Sequence, residues 1–422
     1  MLLKVIPAAE APQVLSAMRE RAAETNAEIA AAAEKILRDV RKNGFDAVKS
    51  YSERFDHAEP YEIPAERLRA AYDATPEALR KALEHAAENI RAYHMQRVPE
   101  SWEWRKDEGR VLGQVLRGLD RVGIYVPGGT AAYPSSVLML AIPARCAGVR
   151  EIVMTTPPTE NLSDAVLAAA YIAGVDRVFA VGGVQAVAAL AYGAGFIPRV
   201  DKIVGPGNAY VAAAKRLVYG SVDIDMVAGP SEVLVLADGS ADPRYVAADL
   251  LGQAEHDRLA SAILVTTSAR LAEETAYELE RQSVRLERRG IVVDSVTNYG
   301  AAIVCGTMEE AAAIANDVAP EHLEIMTENP RGVLPMIRNA GAVFLGAYTP
   351  EPLGDYLAGP SHVLPTSGSA RFFSPIGVDS FIKRMSVIEY SKTALSEDAD
   401  DITTVAYAEK LTAHAHAVEV RA

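Results

Sequence analysis

From Arg121 onward the chain alternates short apolar runs with helix-length segments, and several of the runs end in glycine. Residues 122–126 lead into Pro127-Gly-Gly129, 177–181 into Gly182-Gly183, and 202–204 into Gly205-Pro-Gly-Asn208. Helical spacing fills the gaps at 135–147, 162–173, 185–192 and from Asn208 to 219, with further strands at 151–155 and 233–236. Strands separated by helices of about ten residues require crossover connections, which are right-handed and build a parallel sheet. The alternation resumes after residue 260, with strands at 262–266, 301–305 and 342–345 and helices at 269–288 and 308–318. The pattern therefore predicts an α/β protein with two parallel-sheet units.

The flanks read differently. Residues 11–96 are helical in pattern: Ile29, Ala33, Ile36, Leu37 and Val40 recur with a period near 3.6, and Gly44 ends that run. Residues 61–64 form a break before a second helical stretch at 76–93. Residues 102–104 and 111–116 alternate like strands at a sheet margin, and the tail after Gly377 carries a helix over 402–414.

Glycine turns at strand ends sit where a parallel sheet places ligands, because glycine permits close backbone approach and the following helix offers free N–H groups. The usual G-x-G-x-x-G fingerprint is absent. Each turn taken alone is a tight turn; three on successive strand ends indicate a binding cleft.

Five of the eight histidines lie after residue 250, in short polar segments that only folding could bring together. Gln253 and His256 are three apart, one face of a helix. Asp355 and His414 would complete a four-ligand N/O set suited to zinc, or to manganese or cobalt in its place. Glu321-His322 joins a carboxylate to an imidazole, a pair able to move protons near neutral pH, although such a pair is also common on solvated surfaces. His57, His85 and His94 lie in the helical front part and read as surface or structural. Cys146 and Cys305 lie outside the polar segments, which argues against a covalent thiol route.

The bulk numbers bound the rest. A chain of 422 residues, half of them apolar, holds two or three domains. A net charge of −14 argues against a nucleic-acid or membrane-surface role. Two cysteines give no disulfide framework, no apolar run reaches membrane-spanning length, and the first residues lack a signal-peptide pattern, so the cytoplasm is expected.

Taken in order, Arg121-Val-Gly-Ile-Tyr-Val-Pro-Gly-Gly129, Gly205-Pro-Gly-Asn208, Ala228-Gly-Pro-Ser-Glu232, Gln253-Ala-Glu-His256, Pro320-Glu-His322, Gly354-Asp-Tyr356, Ser361-His-Val-Leu-Pro365 and Leu411-Thr-Ala-His414 resemble the histidinol dehydrogenase family. The front motifs Arg41-Lys-Asn-Gly44 and Arg54-Phe-Asp56 are similar too, so the resemblance spans nearly the whole chain. It implies a zinc- and NAD-dependent, four-electron oxidation of L-histidinol to L-histidine through the aldehyde, the last step of histidine biosynthesis. It implies zinc, one per subunit, on Gln253, His256, Asp355 and His414, and proton transfer by Glu321 and His322. Substrate contacts would come from Ser231, Gln253, His256, His322, Asp355, His362, Glu409 and His414, and NAD contacts from Tyr125, Gln185 and Asn208. It also implies an intertwined homodimer in which the C-terminal segment, with Glu409 and His414, completes the partner's site.

The expected layout is a small N-terminal helical segment at 1–21, a discontinuous α/β domain at 22–124 and 233–376 carrying the metal and catalytic residues, a Rossmann-like NAD domain at 125–232, and a C-terminal segment at 377–422. His416, two residues beyond His414, is set aside only by the Leu-Thr-Ala-His register. A same-fold dehydrogenase for another small alcohol, such as a sulfonated diol, is the alternative; retention of His362 and Glu409 favours histidinol. A zinc hydrolase or a non-catalytic nucleotide binder would differ in NAD reduction and in response to chelation.

Overall fold

The computed structural model describes residues 2–23, 27–128, 133–158, 162–227 and 229–422. Gly129 of the first glycine turn and Ala228, ahead of Ser231, lie outside these residues.

Two six-stranded sheets form the body. The first runs Tyr61–Ile63, Arg177–Ala180, Glu151–Thr156, Arg121–Tyr125, Lys202–Val204, Asp223–Ile224, parallel throughout except for the antiparallel edge Tyr61–Ile63. Its inner strands are buried on both faces, as a sheet covered on both sides requires. Ile152 and Met154 face a core shared with helices Ala65–Ala74, Glu77–Met95, Pro134–Cys146 and Asp164–Ala173. Val153, between them, faces the opposite core with Ala27–Asn43, Phe45–Phe55, Gly183–Tyr192 and Ala209–Val218.

The second sheet runs Val5–Pro7, Gly300–Val304, Ser261–Thr266, Glu232–Ala237, His322–Met326, Ala342–Leu345, all parallel. Helices Pro243–Ala254, Ala269–Ser283 and Arg289–Tyr299 cover one face; Ala11–Ala23 and Met308–Val318 cover the other. A third, antiparallel sheet joins Trp102–Arg105, Arg110–Gly118 and Ile382–Tyr390, and is followed by helices Lys392–Ala408 and Thr412–Glu419.

Several elements and their partners differ from, or add to, what the sequence announces. The segment 22–124 packs largely on the first sheet: the stripe Ala33, Ile36, Leu37, Val40 lies against Val184 and Ala188, and Leu83 and Ile90 lie on its other face, while Asn89 also reaches the Leu357 carbonyl at 2.9 Å. The N-terminal segment is more than a helix, because Val5–Pro7 pairs with Gly300–Val304 in the second sheet. The helix expected over 269–288 ends at Ser283, and an unexpected further helix runs over Arg289–Tyr299; the intervening Val284-Arg-Leu-Glu-Arg288 contains no glycine or proline to announce the break. The strand Ile382–Tyr390 is unannounced because it has no buried residue, so its side chains carry no apolar alternation. Among the described residues no helix is long and apolar enough to cross a membrane.

Candidate active site

Helix Met308–Val318 ends in Ala319, whose left-handed backbone (φ 49°) turns the buried chain sharply into Pro320-Glu321-His322. His322 then begins its strand, in register with Val233 on one side and Ala342 on the other. The imidazole thus sits at the N-terminal edge of the second sheet, whereas α/β sheets commonly bind ligands at the opposite edge. The C-terminal edge of the first sheet approaches it. Ser136, in the first turn of the helix after strand Arg121–Tyr125, lies with its Oγ 3.1 Å from His362 Nε2, and His362 Nδ1 donates to the main-chain carbonyl of Asp355 at 2.9 Å.

Both members of the 321–322 pair are fixed by one residue of the adjacent strand. The N–H of Glu232 donates to the Glu321 carboxylate at 3.1 Å, and the Glu232 carbonyl faces His322 Nδ1 at 3.3 Å. Ser231 also hydrogen-bonds Glu321. Because a carbonyl only accepts, Nδ1 carries the proton and Nε2 is left as the functional nitrogen. Nε2 is buried without a hydrogen-bond partner and points toward Asp355 Oδ1, 3.6 Å away.

Helix Glu351–Tyr356 supplies the facing carboxylates. Glu351 and Asp355 are four residues apart and so share one side of the helix. Ligand atoms of His322, Glu351 and Asp355 lie within 4.8 Å of one another, a mixed N/O donor set suited to a divalent cation. With its amide nitrogen turned toward Glu351, the fully buried Gln253 donates to both carboxylate oxygens, at 2.9 and 3.0 Å. Behind Glu351 lies a carboxyl pair: Glu324 accepts the Glu351 N–H at 2.8 Å and is hydrogen-bonded to Asp249. Burial pushes Asp249 up to about 6 and Glu324 well above the usual carboxylate range.

The electrostatics are those of surplus negative charge. Burial pushes Glu351 up to about 8 and also raises Glu321. Burial alone would lower His322, but Glu321, Glu351 and Asp355 outweigh it and push the imidazole up to about 10. Burial would raise Asp355, but the facing His322 imidazole, with His362 and His256, holds it below its usual range. His256 and His362 are both drawn down, first by desolvation, with Asp355 opposing. One imidazole among three carboxylates leaves room for added positive charge.

The structure therefore brings Ser231, Gln253, His256, Glu321, His322, Asp355 and His362 to one place. It does not bring Glu409 or His414 there: both are exposed on the C-terminal segment. A cleft of about 540 Å³, lined by His322, Phe344, Asp355, His362 and Ile376, leads in beside Asp355.

The second group of expected residues lies at the C-terminal edge of the first sheet. The Tyr125 hydroxyl accepts from the Gly183 N–H at 3.1 Å, and Gln185 Nε2 donates to Asp56 at 3.1 Å. The Asn208 side-chain oxygen caps helix Ala209–Val218, accepting from the N–H groups of Tyr210 and Val211, which leaves its NH2 to face outward. The glycines here first serve the protein's own packing. A Cβ on Gly182 would lie 2.5 Å from the Pro157 ring, and one on Gly205 would lie 2.2 Å from the Tyr125 carbonyl oxygen.

Glu351 and Asp56 escape sequence reasoning. Glu351 had a signal, the four-residue spacing to Asp355, hidden because a glutamate between two prolines reads as surface. Asp56 lies in the family-like Arg54-Phe-Asp56, but it is 129 residues from Gln185 and nothing local announces that pairing.

The family profile for histidinol dehydrogenase matches residues 19–422. A histidinol dehydrogenase of Caldanaerobacter subterraneus subsp. tengcongensis is 54% identical over 97% of this chain and 96% of its own length. One of Clostridium acetobutylicum is 51% identical over 96% of this chain and 95% of its own length. The crystal structure of histidinol dehydrogenase from Elizabethkingia anophelis, 36% identical, superposes with a TM-score of 0.93 over 100% of this chain and 98% of that one.

Proposed function

This chain belongs to the histidinol dehydrogenase family, the oxidoreductases that make histidine, and from that premise we propose how its site works. The reaction is the oxidation of L-histidinol to L-histidine through the aldehyde. The observation that carries the assignment of roles is the double anchorage of Glu321 and His322 on Glu232, with His322 Nε2 left unpartnered in a ring of carboxylates.

His322 Nε2 accepts the proton of the substrate alcohol as its C–H bond breaks. Glu321, its pKa raised by burial, takes a proton from the water that adds to the aldehyde. His322, after releasing its first proton to solvent, accepts the hydroxyl proton of the hydrate in the second oxidation. NAD+, one molecule for each oxidation with NADH leaving between them, would supply the hydride acceptor, held by Tyr125, Gln185 and Asn208. Bound zinc supplies a charged anchor for the substrate's nitrogens, on Gln253, His256, Asp355 and the partner subunit's His414.

The residues fit these groups. Gln253, with its nitrogen held by Glu351, presents its oxygen as a ligand. Asp355 carries charge at the mouth of the cleft. A divalent cation would offset the carboxylates that hold His322 as imidazolium, which the base role needs. His362, engaged at both ring nitrogens, acts by orienting Asp355. Ser231 steadies Glu321 at the substrate's edge.

A homodimer is supported by the apolar side chains left exposed on the third sheet and the C-terminal helices, among them Trp104, Ile388, Val405 and Tyr407. There Glu409 and His414 would complete the partner's site. Both cysteines are unpaired, in keeping with a cytoplasmic enzyme.

The test is NADH formation from L-histidinol and NAD+ before and after chelation. Two NADH per histidinol, lost with the metal and regained with zinc, is the expected result. No NADH from histidinol by metal-loaded protein would overturn the reading.

A further inference from the structure

Gly205 opens the turn that carries Asn208, and both of its main-chain groups are held by one buried ion pair. Asp225 Oδ2 accepts the Gly205 N–H at 2.7 Å, and Lys215 Nζ donates to the Gly205 carbonyl at 2.8 Å. Lys215 and Asp225 also pair with each other, with side chains only 3% and 1% exposed. The second carboxylate oxygen of Asp225 accepts the N–H of Met226 at 2.7 Å. Every strong polar group of the pair is thus spent on the turn, on its partner, or on the start of the segment that runs to Ser231 and Glu232.

A lysine and an aspartate buried this deeply are an inefficient way to stabilise a core, since apolar residues of similar volume serve as well. What the pair provides is position. Gly205 has φ +119°, and its approach to the Tyr125 carbonyl admits no side chain, so the turn has little intrinsic preference for the shape it adopts. Lys215 reaches back from within helix Ala209–Val218, and Asp225 reaches across from the end of strand Asp223–Ile224. The clamp therefore joins the turn, the helix behind it and the chain leading to the proton-transfer residues.

We propose that Lys215 and Asp225 are positioning residues for the dinucleotide: they fix the Gly205–Asn208 turn in its binding shape and so set NAD+ affinity without touching NAD+. This rests on the reading of that turn as part of the NAD site.

The experiment is calorimetric titration of NAD+ into wild-type protein, Asp225→Asn and Asp225→Glu, with zinc content and Tm measured on the same samples. Asp225→Asn removes the charge; Asp225→Glu keeps it but displaces the carboxylate by one methylene. The expected result is weaker NAD+ binding by about tenfold or more in both variants, with zinc content unchanged. A merely structural pair would lower Tm and leave the NAD+ Kd of the folded protein where it was, and that outcome overturns the proposal. If Asp225→Asn does not fold, Asp225→Glu decides alone. Absence of NAD+ binding by the wild type would instead overturn the cofactor reading on which the proposal rests.

Discussion

The carbonyl of Glu232 receives His322 Nδ1 at 3.3 Å, and this single main-chain contact sets which nitrogen of the imidazole does chemistry. Nε2 is the free position, so His322→Asn removes the proton acceptor while leaving the zinc set we propose untouched. The expected outcome is a fall in kcat of about 10²- to 10⁴-fold with bound metal unchanged, read by steady-state kinetics and metal analysis. Loss of metal along with activity would reassign His322 to ligation.

Glu321 is assigned only to the hydration step, so Glu321→Gln is expected to spare the first oxidation more than the second. Rapid mixing with histidinol should then show a burst approaching one NADH per site, followed by slow turnover. An equal slowing of both phases would refute the division of labour.

Glu351 holds the Gln253 amide and adds to the negative charge around His322. Glu351→Gln is expected to weaken metal binding by about 10- to 100-fold, measured by competition with a chelating dye. Unchanged metal affinity would reduce Glu351 to a packing role.

The exposed His414 predicts complementation. His322→Asn and His414→Asn proteins, each inactive alone, should regain about a quarter of wild-type activity when unfolded together and refolded as mixed dimers, because half the dimers are mixed and each has one intact site. No recovery, with mixed dimers verified, would place His414 in its own subunit's site.

Stability should depend on pH through His94. Burial holds its folded pKa down to about 4, against an ordinary value of 6.5. Above 6.5 the ring is neutral in both states. As pH falls from 6.5 toward 4 the unfolded chain binds a proton that the folded protein refuses, so stability drops, and it levels off below 4. In His94→Gln that portion of the Tm decline should vanish; an identical decline in the variant would show that other groups cause it.

Much of the fold was legible because buried parallel strands and their crossover helices write a strong apolar rhythm, as 151–156 and 232–237 do. Long-range partners write none. Nothing in Val5–Pro7 announces pairing with Gly300–Val304, and the stripe on Ala27–Asn43 states that it has a partner without saying which sheet. In the site, Glu321-His322 and Gln253 with His256 were visible as local pairs. Glu351 and Asp249 were not, because a buried carboxylate is recognised by its surroundings and those come from distant segments. Asp355 was singled out as a candidate ligand from the sequence, but nothing local to it showed that it meets His322.

The edge strand Val5–Pro7 also dictates an order of assembly. The sheet holding Asp56, Tyr125 and Asn208 is complete once Ile224 has been made, and can close while synthesis continues. The other sheet cannot: Val5 must wait for Ala302, a delay of about 15–60 s at ~5–20 residues per second. During that interval the N-terminal strand is a short, unpaired edge tethered to a finished neighbour. The two halves of the catalytic cleft therefore mature at different times, and the proton-transfer half, whose strands His322–Met326 and Ala342–Leu345 are made after Ala302, comes last.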